Sequence, residues 1–288
     1  MNPIDLRKCL TSGQVFRWRE VKPGVWEGND GSQFGRLGTA SFGLQEDPSG
    51  KLKLAIHGSW HQYFRLDEPQ DLQSHIAEMC PKFASLPRQE GLRLLRPSDP
   101  VESFFSFLCT SNNHLGRITK MVEHLFPLSN ESSMGESSAA GDPERLLHIP
   151  SFTESELRAA GFGYRAATIP RAAQLLIMRG GRQYLLDLRQ ASLREAQAEL
   201  LSFPGVGPKL ADCIALYALH NTEAVPVDVH LWNGAVRLYF REWRGTTLTD
   251  KKYQAIGDHF RSLFGPWAGH AQLFVYYAGV VSGRSGGN

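Results

Sequence analysis

Cysteine is scarce in this chain: four in 288 residues, at Cys9, Cys80, Cys109 and Cys213. Their wide spacing holds no C-x-x-C pair and no Cys/His cluster. That excludes the usual zinc patterns and a four-cysteine iron–sulfur centre, so no metal ligand is assigned. Long apolar runs are missing too; no stretch reaches the roughly 18 residues a membrane span needs, and no membrane association is expected. The opening stretch Met-Asn-Pro-Ile-Asp-Leu-Arg-Lys has no signal-peptide core, so an intracellular protein with reduced thiols is expected, nuclear in a eukaryote and cytoplasmic in a bacterium. The excess of positive charge is only +2, so a nucleic-acid surface, if present, must be local. There is no internal repeat. What is present describes a soluble globular chain: 42% hydrophobic residues, 21% charged, and a length that favours two domains.

One stretch, 192–239, organises the rest. Ser192 and Glu195 have capping-box spacing, which predicts a helix start. Ala196, Leu200, Leu201 and Phe203 fit one buried face, and Pro204 stops that helix. Gly205, Val206 and Gly207 predict a tight turn, and Pro208 suits the first position of the next helix. Lys209 follows at once. Such a turn aims N–H groups outward at the positive end of a helix, a geometry suited to phosphate. An ordinary αα-hairpin with a glycine turn explains the same residues. Asp228, 19 residues after Lys209, stands before another helical pattern, where an N-cap contributes about 1 kcal/mol.

Short strands separated by Gly, Pro, Asp and Asn are predicted at 15–18, 25–28, 35–37, 41–44 and 51–56. Helical periodicity takes over at Asp71 and runs to Cys80, before Pro81. Further helices are predicted at 100–109, 115–126, 154–160, 167–179, 183–189, 192–203, 229–240, 251–264 and 269–281. The polar stretch 128–143 reads as a loop inserted between helices. The fold class is therefore α+β: a small antiparallel β-sheet domain with a following helix over 1–95, an all-α domain over 96–281 with its hairpin near 192–221, and a frayed tail over 282–288.

The Gly-Val-Gly-Pro-Lys turn with the later Pro-Val-Asp resembles the helix-hairpin-helix DNA glycosylase superfamily. Further stretches resemble one family within it, the eukaryotic-type 8-oxoguanine DNA glycosylases. They are Thr-Ser-Gly-Gln-Val-Phe-Arg-Trp at 11–18, Phe-Ser-Phe-Leu-Cys-Thr-Ser-Asn-Asn-His at 105–114 with Arg117, and Gly-Phe-Gly-Tyr-Arg at 161–165. Ala-Val-Pro-Val-Asp-Val-His at 224–230 and Leu-Phe-Gly-Pro-Trp-Ala-Gly-His-Ala-Gln at 263–272 complete the set, in the family's order and over nearly the whole chain.

The resemblance implies a DNA N-glycosylase with AP lyase activity and no redox cofactor. It acts on double-stranded DNA containing oxidised guanine, and the chain is expected to be a monomer. Lys209 would be the nucleophile; burial and the helix N-terminus both favour its neutral amine. On its residues alone, a phosphate-binding lysine is an equal reading. Asp228 would offset positive charge developing on the sugar. The backbone C=O of Gly13 would accept the N7–H that distinguishes the oxidised base from guanine. Gln272 would bond the base edge, with Tyr276 and Cys213 packed on its two faces and Pro226 and Tyr217 beside it. The family usually has phenylalanine where Tyr276 stands and methionine where Tyr217 stands. The base reaches such a pocket by flipping out of the duplex. Asn112, Arg117 and Arg165 match positions that contact the orphaned cytosine, and Tyr164 matches the residue wedged into the stack. His114 replaces the family's frequent third asparagine. Gly205, Val206, Gly207 and His230 would hold phosphate, mainly through backbone N–H groups, and the hairpin carbonyls are also suited to a structural cation.

Three other readings compete; one of them, a scaffold protein with no nucleic acid, fits the weak net charge but leaves the glycine turn unexplained. A related glycosylase for alkylated or mismatched bases is opposed by Lys209 and Gly13. A DNA-binding module without catalysis leaves Lys209 with Asp228 unexplained.

Overall fold

The computed structural model describes residues 4–30, 34–38, 44–46, 52–54, 59–127 and 148–285. Helix α1 (Leu6–Thr11) precedes five strands: β1 (Arg19–Lys22), β2 (Val25–Asn29), β3 (Phe34–Gly38), β4 (Leu44–Glu46) and β5 (Leu52–Leu54). Then come α2 (Ser59–Tyr63), α3 (Leu72–Ala77), α4 (Pro81–Ala84), α5 (Pro100–Leu108) and α6 (Leu115–Leu125). They are followed by α7 (Glu154–Ala159), α8 (Ile169–Met178), α9 (Gly181–Leu188), α10 (Leu193–Leu201) and α11 (Pro208–Tyr217). The last are α12 (Val229–Leu238), α13 (Asp250–Phe264) and α14 (Ala268–Ser285). This is the expected α+β class, with a small antiparallel sheet near the N-terminus and helices after it.

Contacts group the chain into two units, each drawn from separated stretches. The first is Met1–Ser12, Thr39–Leu95 and Asn221–Asn288; the second is Gly13–Gly38 and Arg96–His220. The linear division expected at 95/96 is one of four points at which the chain passes between units.

In the second unit, β1, β2 and β3 pair antiparallel in sequence order. Pro23-Gly24 closes the first hairpin between Lys22 and Val25, and Gly24 takes φ +74°, the left-handed value a type II turn needs at its second central residue. Trp26 and Leu37 face each other across β2 and β3 and both are buried, so alternation fixes the register. Helix α5 lies at the heart of this unit. Asp99 caps it by accepting from Val101 N–H at 3.0 Å, Pro100 takes its first position, and all of its residues are buried. Phe104 meets Phe203 edge-on at 5.1 Å, and Phe107 stacks on Tyr217 at 5.1 Å. Arg17 donates to Glu102 on α5 at 2.5 Å, a pair withdrawn from solvent on both sides.

In the first unit, α12 packs along α14. A Cβ at Gly234 would overlap Val275 Cγ1, and one at Gly279 would lie 3.3 Å from the His230 carbonyl oxygen, so both helices need glycine at their crossing. Phe83 packs edge-on against Phe264 at 5.5 Å and Phe274 at 6.1 Å. A charged cluster is buried beside this core. Arg65 donates to Glu68 at 3.0 Å, His270 lies 3.0 Å from the other Glu68 oxygen, and Arg93 donates to the carbonyls of Phe64, Arg65 and Pro69. Burial opposes the charged form of Glu68, but His270 and Arg65 reverse the sign and hold its carboxyl below the usual value. Burial holds His270 below its ordinary value despite Glu68. The four cysteines are buried and form no disulfide, and burial pushes Cys9 and Cys109 up to about 12.

Several expectations are corrected. Residues 15–18 are not a strand. Phe16, Arg17 and Trp18 are buried in succession, Phe16 lies edge-on to Phe107 at 5.7 Å, and a half-buried strand would alternate instead. Pro81 does not simply end a helix; with Cys80 extended before it, it starts α4. The tail expected from 282 is helical to Ser285. Helix α1, capped by Asp5 accepting from Lys8 N–H at 3.0 Å, occupies a stretch for which no element is predicted. The loop expected over 128–143 lies outside the described residues, as do parts of the strands expected at 41–44 and 51–56.

Glu102→Gln leaves the buried Arg17 guanidinium without its counter-charge. The expected cost is about 3 kcal/mol, read as a lower urea midpoint with unchanged slope; a shift below about 0.5 kcal/mol would contradict it. Acid sensitivity follows from the buried cluster. With its folded pKa below the unfolded value of 6.5, His270 stays neutral while the unfolded chain takes up a proton, so stability falls as pH drops below 6.5. Glu68 adds a second loss as pH falls from its unfolded value of 4.5 through its lower folded value. Melting temperatures from pH 7.5 to 4 should show both limbs, and His270→Gln should remove the upper one.

Candidate active site

The hairpin lies in the second unit. Ser192 and Glu195 form the capping box: Ser192 Oγ accepts from Glu195 N–H at 3.3 Å, and the Glu195 carboxylate accepts from Ser192 N–H at 2.9 Å. The Ser192 hydroxyl, which donates to the carboxylate at 2.6 Å, and then the Ser192 N–H hold the Glu195 carboxyl below the usual range. After α10 the chain turns at Gly205, whose φ is +84° and where an added Cβ would press on Thr168 at 3.4 Å. Gly207 is the N-cap of α11 and brings no capping side chain; Pro208 follows, with no N–H to donate. Lys209 is thus the second residue of α11 and is half-buried. Among the described residues, neither Gly205 nor Gly207 donates its N–H to a protein acceptor. Val206, also expected to offer its N–H to phosphate, is engaged: it donates to Phe203 C=O at 3.1 Å. Gln197 on α10 donates to buried Asp212 on α11 at 2.5 Å and braces the hairpin. Neither residue stands out in the sequence. Cys213 and Tyr217 follow Lys209 at one-turn intervals and are both buried.

The same unit brings together two stretches 44 residues apart. Arg117 on α6 donates to Gly161 C=O at 2.6 Å. The Tyr164 hydroxyl donates to Ser111 C=O at 3.3 Å, next to Asn112. Asn112 is exposed and held at φ +46°, a left-handed conformation uncommon outside glycine. Its neighbour Asn113 stabilises that loop, donating to Cys109 C=O at 2.9 Å and accepting from His114 N–H at 3.0 Å. The sequence marks Asn113 only as half of an Asn-Asn pair. Tyr164 is 56% exposed, and the Arg165 guanidinium lies 4.6 Å from its ring centroid. Arg165 is only 3% exposed, yet its Nε and one Nη have no hydrogen-bond partner among the described residues. Gly13, at φ +83°, has a carbonyl that accepts no hydrogen bond among the described residues.

In the first unit, Asp228 is the N-cap of α12. One carboxylate oxygen accepts from both His230 N–H at 2.9 Å and Leu231 N–H at 2.8 Å. The other oxygen has no partner among the described residues. The cap therefore takes the His230 N–H that was expected to serve phosphate. The His230 ring meets Tyr276 edge-on at 5.7 Å, so Tyr276 has an aromatic neighbour that its spacing does not reveal. Pro226 is buried, whereas Val229 is 62% exposed directly beside Asp228. Gln272, one turn before Tyr276 on α14, is 3% exposed, and its carboxamide makes no hydrogen bond among the described residues. Its amide atoms are not among those fully withdrawn from solvent, so they remain open to a hydrogen-bonding ligand.

No helix among the described residues is long and apolar enough to cross a membrane, and no group of three or more potential metal ligands occurs there. The N-terminal domain of 8-oxoguanine DNA glycosylase matches residues 1–104. The chain is 35% identical to the N-glycosylase/DNA lyase OGG1 of Arabidopsis thaliana over 96% of its own length and 77% of that protein. It is 33% identical to the N-glycosylase/DNA lyase of Saccharomyces cerevisiae over 98% and 85% of the two chains. Its fold is similar to that of the 8-oxoguanine glycosylase/lyase of Clostridium acetobutylicum, solved with double-stranded DNA containing cytosine opposite 8-oxoG. That likeness has a TM-score of 0.74, covers 98% and 94% of the two chains and has 23% identity. On these relatives, over nearly its whole length, the chain belongs to the 8-oxoguanine DNA glycosylase family of N-glycosylase/DNA lyases.

Proposed function

We propose that this chain excises 8-oxoguanine from duplex DNA, preferentially opposite cytosine, with Lys209 as nucleophile. Family membership carries the general activity: the chain is a DNA N-glycosylase and AP lyase. The observation that supports the lysine route is the start of α11, where Lys209 follows an uncapped turn whose glycine N–H groups are unengaged.

The neutral amine attacks C1′ as the glycosidic bond breaks; the bonding electrons leave with the base, which takes a proton. Asp228, through the oxygen its cap does not use, offsets the positive charge that grows on the sugar. Opening of the sugar ring gives a Schiff base, and loss of the 2′ proton expels the 3′ phosphate by β-elimination. Water then releases Lys209, so no redox equivalent is consumed.

Recognition of the lesion and of the opposite base uses side chains and backbone groups of both helix starts and their neighbours. The Gly13 carbonyl accepts the N7–H of the lesion, and guanine offers a lone pair there instead, which is repulsive. Gln272 bonds the base edge, with Tyr276, Cys213, Pro226 and Tyr217 around the base. Arg165 and Arg117 donate to the orphaned cytosine, Asn112 contacts the same nucleotide and Tyr164 fills the gap in the stack. Gly205 and Gly207 hold phosphate.

Lys209→Gln is expected to abolish the borohydride-trapped complex on a duplex with 8-oxoguanine opposite C while duplex binding persists; undiminished trapping would remove Lys209 from this role. Arg165→Ala should lower the preference for C over the other three opposite bases about tenfold, since a good base contact discriminates by about 1–3 kcal/mol. Excision rates measured against all four opposite bases decide this, and unchanged ratios would count against the assignment.

A further inference from the structure

The first unit contains a cavity of about 350 Å³ that no residue of the proposed chemistry lines. Lys82 of α4 borders it, with Arg237 and Leu238 at the end of α12, and Arg241 and Leu86. No acidic residue is among its lining residues. None of the three cations has an ion-pair partner among the described residues; Lys82 has only the Tyr239 ring, 5.9 Å from its ammonium. The C-terminal end of α12 offers roughly half a negative charge, a fraction of what three cations need. The excess is felt nearby: burial and then the Lys82 charge hold His259 below its ordinary value. Solvated basic residues are common singly. Three of them converging on one concavity repel one another unless an anion joins them.

We propose that this cavity binds a phosphate-bearing anion of two or more charges, a phosphomonoester or a pyrophosphate. Its volume falls within the usual range of small-molecule sites. Two guanidinium forks and an ammonium match several phosphate oxygens at once, as a single carboxylate would not. The charge count also favours a monoester, which carries close to two charges at neutral pH, over an internucleotide diester, which carries one. The site is separate from the excision chemistry. Arg237 follows Asp228 by nine residues, so α12 puts about 14 Å between them and presents them at opposite ends. The phosphate could come from a free metabolite or from the 5′-phosphate end of a cleaved strand, and the inference does not depend on the lysine mechanism.

Calorimetric titration of the full chain with sodium pyrophosphate at low ionic strength tests this. Saturable binding at one site is expected, absent with sodium acetate at matched ionic strength. The double variant Arg237→Gln/Arg241→Gln should bind at least about tenfold more weakly, with its melting temperature and excision rate unchanged, because both side chains are exposed. Lys82→Gln should weaken binding independently, whereas Lys209→Gln should not. Competition by a 5′-phosphorylated oligonucleotide, but not by its 5′-hydroxyl counterpart, would assign the phosphate to a strand end; no competition by either would assign it to a free anion. Non-saturable heats, unchanged affinity in the double variant, or loss of binding in Lys209→Gln would overturn the proposal.

Discussion

A helix cannot satisfy its own first N–H groups, and two helices of this chain meet that deficit in opposite ways. At the start of α12, one oxygen of Asp228 takes the N–H groups of His230 and Leu231. The carboxylate is thereby fixed in orientation, with its second oxygen left over. At the start of α11, Gly207 brings no side chain and Pro208 no N–H, so nothing in the turn competes for an incoming anion. Replacing Gly207 by a capping serine would fill that opening with the protein's own oxygen. One helix start is thus closed by its own carboxylate, and the other is left open at its glycines.

Around these two starts, polar groups divide into those the protein satisfies and those it does not. Arg17 with Glu102, and Glu68 with Arg65 and His270, are buried and paired, and they hold segments distant in sequence in fixed relation within each unit. Two guanidinium nitrogens of Arg165, the Gln272 amide, the Gly13 carbonyl and one oxygen of Asp228 have no hydrogen-bond partner among the described residues. For the fully buried Arg165 nitrogens this costs the folded chain about 1–3 kcal/mol. Several of the residues proposed for recognition are thus marked by groups left unbonded among the described residues.

Much of the fold was legible because its signals are local. Capping at Ser192 and Asp99, the proline at the first position of α5 and α11, and the alternation across Trp26 and Leu37 all act within a few residues. The failures have the opposite character. Residues 15–18 carry β-branched and aromatic side chains, yet Arg17 bonds a glutamate 85 residues away, and burial on every side replaces alternation. Pro81 reads equally as a stop and a start, and only the extended Cys80 before it decides. Val206 looks as available as its glycine neighbours until Phe203 is seen to accept its N–H.

By itself the sequence determined the type of element at each place, the hairpin with Lys209 at the head of a helix, and Asp228 as a cap, because caps, turns and periodicity are set by neighbours along the chain. Only the tertiary structure decided that 111–117 and 161–165 meet, that Arg165 is buried with two guanidinium nitrogens unbonded among the described residues, that Gln272 is buried with an amide unbonded among them, and that three cations surround one cavity. Those facts depend on which distant side chains exclude water from a given group. No periodicity or spacing encodes that, since the same arginine or glutamine reads identically whether its partner is solvent, a carbonyl or nothing.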